Sequence, residues 1–148
     1  MFKLPSKKIR TFCVSIVLAL MIPLKVYPAP ATEEPWQVGL KAYRQGQYQQ
    51  AQKMWLALAQ KGDSKSQMYL AHLYHQGLGT AKNLKQALYW FQLAAEQGDA
   101  DAQYALALMH ETGQGVSPDY WEAEKWYQRI REQGYCLGEI GLRRKLIQ

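Results

Sequence analysis

Between residues 64 and 76 the apolar positions Leu70, Ala71, Leu73 and Tyr74 fall at helical spacing. Between 83 and 97, Leu84, Ala87, Leu88, Phe91, Ala94 and Ala95 make a broader stripe with the same 3.6-residue period. Each stretch predicts an amphipathic helix, and the polar, glycine-bearing segment between them predicts a reversal, so the unit is a helical hairpin. No stretch of the body alternates in the way a half-buried strand would. The pattern then returns 36 positions later: Gly62-Asp63 is followed by Gly98-Asp99 and Gly134-Tyr135, Gln67 by Gln103, Leu70 by Leu106, Ala71 by Ala107, Ala87 by Ala123, Trp90 by Trp126, and Phe91 by Tyr127. A fixed period of this size marks a repeat array, in which one unit cannot bury its apolar face alone and stacks on its neighbours.

The punctuation fits that reading. Gly62, Gly98 and Gly134 follow the second helix of a hairpin, where a left-handed C-terminal cap belongs, and Asp63 and Asp99 then stand ready to cap the next helix. The pairs Gly77/Gly79 and Gly113/Gly115 let the chain turn back inside each hairpin. Asn83 with Gln86, and Asp119 with Glu122, have the spacing of reciprocal caps on the second helices. Small residues at Ala71 and Ala107 allow close helix approach, and Trp90, Phe91, Trp126 and Tyr127 read as core filling between hairpins rather than as a ligand cage. His110, at the position of Tyr74, reads as its packing substitute.

With "DAQYALA", "GQGV", "DYWEAEKWY" and a closing Gly, residues 98 to 134 resemble a Sel-one-like repeat, the longer-looped relative of the tetratricopeptide repeat, and residues 62 to 98 are a second copy. Upstream, "WQVGLKAYRQGQYQQAQKMWLALAQKGD" is similar to an ordinary tetratricopeptide hairpin, marked by Trp36, Gly39, Tyr43, Gly46, Tyr48 and Ala51; downstream, "CLGEIGLRRKLIQ" aligns with the first helix of a further unit. The expected fold is therefore all-α, a short α-α superhelix, with a capping repeat at 32–62, repeats at 63–98 and 99–134, and a C-terminal capping helix at 135–148. The resemblance implies that the first helices line a concave face and that such chains act as adaptors.

Charge changes the picture at one end only. The formal net charge is +6, but five of the 18 basic residues and no acid lie in the first 31 positions, which leaves 13 basic against 12 acidic residues afterwards. A nearly neutral body argues against a nucleic-acid partner. Arg143, Arg144 and Lys145 read as the last turn of a terminal helix, where cations complement the helix dipole. The basic start, the apolar run "TFCVSIVLALMIPL" and Ala29-Pro30-Ala31 together read as a signal peptide over 1–31, cleaved after Ala31. Export to a bacterial periplasm is expected, with secretion as the alternative, and no stable membrane insertion once the leader is removed. Cys136 is then the single cysteine, read either as a partly buried small residue on the terminal helix or as one half of an intermolecular disulfide.

Catalytic sets are absent from the sequence: there is no Gly-x-Ser-x-Gly, phosphate loop or cysteine-based metal motif. His72 and His75, three apart on one helix, lack the further ligands of a metal site, so no metal and no cofactor is expected. By helical phase, the side chains of the first helices that point away from their partner helices are Gln37, Lys41 and Arg44 in the cap, Met68, His72 and His75 in the next unit, and Tyr104, Leu108 and Glu111 in the last. Those nine are the candidate partner-binding residues, and their mixture of apolar groups with a few fixed charges suits a peptide or partner protein. The expectation is a non-catalytic interaction module. The rival is a weak lactam hydrolase or cell-wall-binding protein, an activity associated with exported relatives that carry paired cysteines in each repeat, which this sequence lacks.

Overall fold

The computed structural model describes residues 33–145, with side chains as far as residue 141. The signal peptide expected over 1–31 and the side chains of Arg143, Arg144 and Lys145 lie outside the described residues. Seven helices follow in order among those described: α1 (Pro35–Arg44), α2 (Tyr48–Ala59), α3 (Ser64–Gln76), α4 (Leu84–Glu96), α5 (Ala100–Thr112), α6 (Tyr120–Glu132) and α7 (Leu137–Lys145). They pack as sequential hairpins, α1 with α2, α3 with α4 and α5 with α6, each hairpin against the next, while α7 lies on α5 and α6. None of these helices is long and apolar enough to cross a membrane.

The first hairpin is held at its centre by Trp55. The indole is fully buried, its Nε1–H donates to the Trp36 carbonyl at 3.0 Å, and its ring stacks on Tyr69 of α3 at 4.8 Å. Gly39 makes room for it, since a Cβ there would come within 2.3 Å of the indole nitrogen. Trp36 also stacks on Tyr69, at 5.7 Å, so one tyrosine ties the first hairpin to the next. Trp90, Phe91 and Trp126 are buried in the same continuous core, and Tyr127 packs against it.

The repeated joints are chemically alike. Asp63 accepts from the Ser66 N–H at 2.7 Å, and Asp99 from the Ala102 N–H at 2.9 Å, satisfying donors that the first turn of a helix leaves open. Asn83 and Asp119 cap α4 and α6 in the same way. The reciprocal half predicted for these last two caps is not made: the Glu122 carboxylate turns outward to the Lys125 ammonium instead. At the third joint Tyr135 replaces the aspartate, and the residue ahead of α7 is Cys136, whose carbonyl accepts from Glu139 N–H at 3.0 Å. Cys136 is exposed, which corrects the expectation of partial burial on the helix; it precedes the first turn and projects outside the packed face.

Two further contacts explain repeat matches that the period alone leaves as bare coincidences. Gln67 and Gln103, 3% and 2% exposed, each donate through Nε2 at 3.1 Å to the carbonyl of Ala59 and Ala95 respectively, at the end of the preceding second helix. Each carbonyl also accepts from the turn that follows, from Gly62 and Gly98 N–H at 3.0 Å, and the buried glutamine adds the bond that splices successive units. Each long loop also seats on an earlier helix. A Cβ on Gly79 would lie 2.6 Å from the Tyr48 carbonyl carbon at the start of α2, and one on Gly115 would lie 2.8 Å from the Leu84 carbonyl oxygen at the start of α4. Both glycines have positive φ, 70° and 77°, so close approach and backbone conformation alike call for glycine. The equivalent residue at the start of α6, Tyr120, is 71% exposed, with Trp121 beside it at 82%.

Candidate partner-binding cleft

The face built from the first helices carries a small recess with a cavity volume of about 30 Å³. Met68, Tyr69 and His72 come to it from α3, Asp101 and Ala105 from α5, Ile140 from α7, and Phe91 rises from α4 as its floor. Three units therefore contribute to one recess. Its apolar lining arises from the stacking already described: Phe91, Ala105 and Ile140 are essentially inaccessible, while Met68 and His72 are each 8% exposed and meet the opening with their edges.

The rim is charged. Lys65, at the start of α3, places its ammonium 2.7 Å from Asp99 and 3.7 Å from Asp101. Burial acts to lower the Lys65 pKa, but the hydrogen bond and charge of Asp99, with Asp101 behind it, win and raise it above the ordinary value. The Tyr69 hydroxyl is also raised, first by burial, with Lys65 and Arg44 opposing, so it remains protonated at neutral pH.

The nine residues singled out by helical phase are distributed as follows. Met68 and His72 line the cleft. His75 sits one turn further along α3, its Nε2 2.6 Å from Gln114 Oε1 in the loop of the next hairpin and its ring edge-on to Phe91. Tyr104 turns toward the end of the array, packing on Tyr127 at 6.0 Å and reaching Gly141 of α7, where an added Cβ would meet its hydroxyl at 3.2 Å. Leu108 is half-buried on α5. Glu111 accepts from the Tyr127 hydroxyl at 2.8 Å, and burial together with that bond holds the tyrosine well above its usual pKa. Gln37, Lys41 and Arg44 are exposed on α1 and do not line the recess. Tyr69, Phe91, Asp101, Ala105 and Ile140 were not identified from the sequence. Among the described residues, no three His, Cys, Asp or Glu side chains converge so as to hold a metal ion.

Sequential hairpins of a 36-residue period, joined by Gly-Asp corners and seated glycine loops, define a helical-repeat protein of the tetratricopeptide-like kind. The model of the Sel1 repeat family matches residues 64–99 and 100–135, and the chain is a Sel1 repeat protein. Among solved structures, a Sel1 repeat protein from Oxalobacter formigenes is 36% identical with a TM-score of 0.64, matched over 67% of this chain and 41% of its own. The protein c5321, a protective antigen present in uropathogenic Escherichia coli strains and displaying an SLR fold, is 34% identical with a TM-score of 0.64, over 68% of this chain and 22% of its own. The chain thus spans less than half the length of either structure. No curated protein matches it.

Proposed function

We propose that this chain is an exported, non-catalytic adaptor that holds a peptide segment or a partner protein on the face of its first helices. The observation that carries the reading is the single recess to which α3, α5 and α7 each bring side chains, because a surface built across several stacked units is how repeat arrays recognise extended partners. Sel1 repeats generally mediate protein interactions, which supports the same class. The basic, apolar and small-residue sequence of the leader supports delivery to the periplasm.

The test is capture of partners from envelope and secreted fractions with the full chain, beside a variant carrying Met68→Ala and His72→Ala whose helical content and melting are checked first. The adaptor reading expects at least one specific protein to be retained by the parent and reduced about ten-fold or more by the variant, the loss of one well-placed anchor. Equal retention by both would move the binding surface off this cleft. Turnover of lactams or cell-wall fragments by the purified chain would replace the adaptor with the hydrolase.

A further inference from the structure

Resting on the adaptor reading, we infer that α7 is an internal stand-in for the partner: its Ile140 fills the groove that a partner helix takes over, so the array binds by exchanging its own terminal helix for another. With α7 in place the recess has a cavity volume of about 30 Å³, room for roughly one or two waters and for no further side chain. Its walls are Met68 and His72 of α3 and Ala105 of α5, with Phe91 below, and Ile140, 1% exposed, closes it from α7. A ligand that reaches the first helices through this recess therefore has to displace Ile140.

The seated helix also shows the chemistry of the one that replaces it. Ile140 packs with Ala100 and Ile130, and with Leu137 beside it, in a small cluster distinct from the continuous core. Gly141 lies against Tyr104, where an added Cβ would come within 3.2 Å of the hydroxyl. The partner is accordingly an amphipathic helix with apolar residues at i and i+3 and a small residue at i+4, a short form of helix-in-groove recognition.

The devices that fix α3 and α5 are missing from α7. Asp63 and Asp99 cap those two helices, and Tyr135 stands in the equivalent place. Gln67 and Gln103 splice them to the preceding helix through buried amides, whereas Glu139, at the same register, is exposed, and a carboxylate has no proton to donate to a carbonyl. Ala102 and Ala105 are replaced by Gly138 and Gly141, and each glycine gives the undocked segment more freedom to regain. Among the described side chains of α7, Ile140 alone is buried. A helix of nine residues depends on packing for its existence, so α7 opens as a local unit while the hairpin beneath it stays folded.

The experiment begins with amide hydrogen exchange on the full chain. The Ile140 and Gly141 amides are expected to exchange at least about 100-fold faster than those of Leu106 and Ala107 in α5, relative to their intrinsic rates. Gly138→Ala, whose Cβ meets nothing within 4 Å, is expected to slow them about two- to five-fold. A synthetic peptide of residues 136–148 is then titrated into the full chain and into its Ile140→Asp variant, confirmed as folded by its melting transition, with the methyl signal of Met68 as the reporter. The variant, its own helix released, is expected to bind the peptide at least about ten-fold more tightly than the parent, and a peptide carrying the same change should not bind. Amides of α7 that exchange no faster than those of α5 would overturn the inference, as would a peptide that binds both chains alike or neither. Should Ile140→Asp not fold, the exchange rates of the parent and of Gly138→Ala decide alone. None of these results depends on partner capture, so the helix exchange can fail while the adaptor stands, and the adaptor can fail while the exchange is seen.

Discussion

At the scale of single residues, the glutamines at the unit boundaries show most directly how the sequence stabilises the stack. Gln103 is 2% exposed and its amide donates a second hydrogen bond to the Ala95 carbonyl, which also accepts from the Gly98 N–H at 3.0 Å. Gln103→Met keeps the volume and removes one hydrogen bond while the carbonyl keeps its Gly98 donor, so it is expected to cost about 0.5–1.5 kcal/mol, read as a lowered urea midpoint with unchanged slope. An unmoved midpoint would mean that water takes the amide's place. The match of Gln67 with Gln103 is visible in the sequence; its purpose is not, because the acceptor lies on another helix. The candidate site was legible to the same partial degree. Helical phase brought out Met68 and His72, but it measures direction only against a helix's own hairpin partner. Tyr69 is turned by the indoles of the preceding hairpin, and Phe91, read correctly as core, reaches the cleft from below.

For the elements, the 36-residue period and the glycine corners were enough to place the helices, since periodicity, caps and breakers all agree within each unit. What the period does not encode is the contact each loop makes with a helix two elements back. Gly46 and Gly115 separate the two consequences of glycine. Both have positive φ, 74° and 77°, but a Cβ on Gly46 meets nothing within 4 Å, whereas one on Gly115 meets the Leu84 carbonyl at 2.8 Å. Gly46→Ala is therefore expected to cost about 1 kcal/mol, the ordinary penalty of a left-handed residue. Gly115→Ala adds a backbone clash and is expected to cost roughly 2–4 kcal/mol, the range of strained or overpacked sites. Chemical denaturation of the pair checks it, and equal losses would show that the loop does not bear on α4.

At the scale of the whole molecule, four perturbed groups among the described residues share one sign. Tyr43, Tyr69 and Tyr127 have hydroxyls pushed above 10.0, burial being the first cause in each, and Lys65 is raised above 10.5 because the hydrogen bond and charge of Asp99 outweigh its burial. In the unfolded chain these tyrosines release protons from pH 10.0 upward, while the folded chain retains them; the Lys65 contribution is complete below 10.5 and fades as pH climbs through its folded value. The four groups therefore impose an alkaline decline in stability beginning near pH 10, visible in urea midpoints taken on either side of it. Tyr127→Phe should make that decline shallower, and a slope unaltered by this change would assign the loss to other groups.

The seating of the long loops also bears on how such a chain can change length. Surface connections are ordinarily where insertions and deletions do least harm. Here the connections at Gly79 and Gly115 are wedged against the preceding hairpin, so one residue more or less would shift a whole hairpin against its neighbour. More freedom sits at the tip of the short turn, where a Cβ on Gly46 meets nothing within 4 Å, ahead of Tyr48, which seats the Gly79 loop. A new peptide, tag or domain is best grafted there, and the array grows by adding whole 36-residue units rather than by enlarging the loops it has.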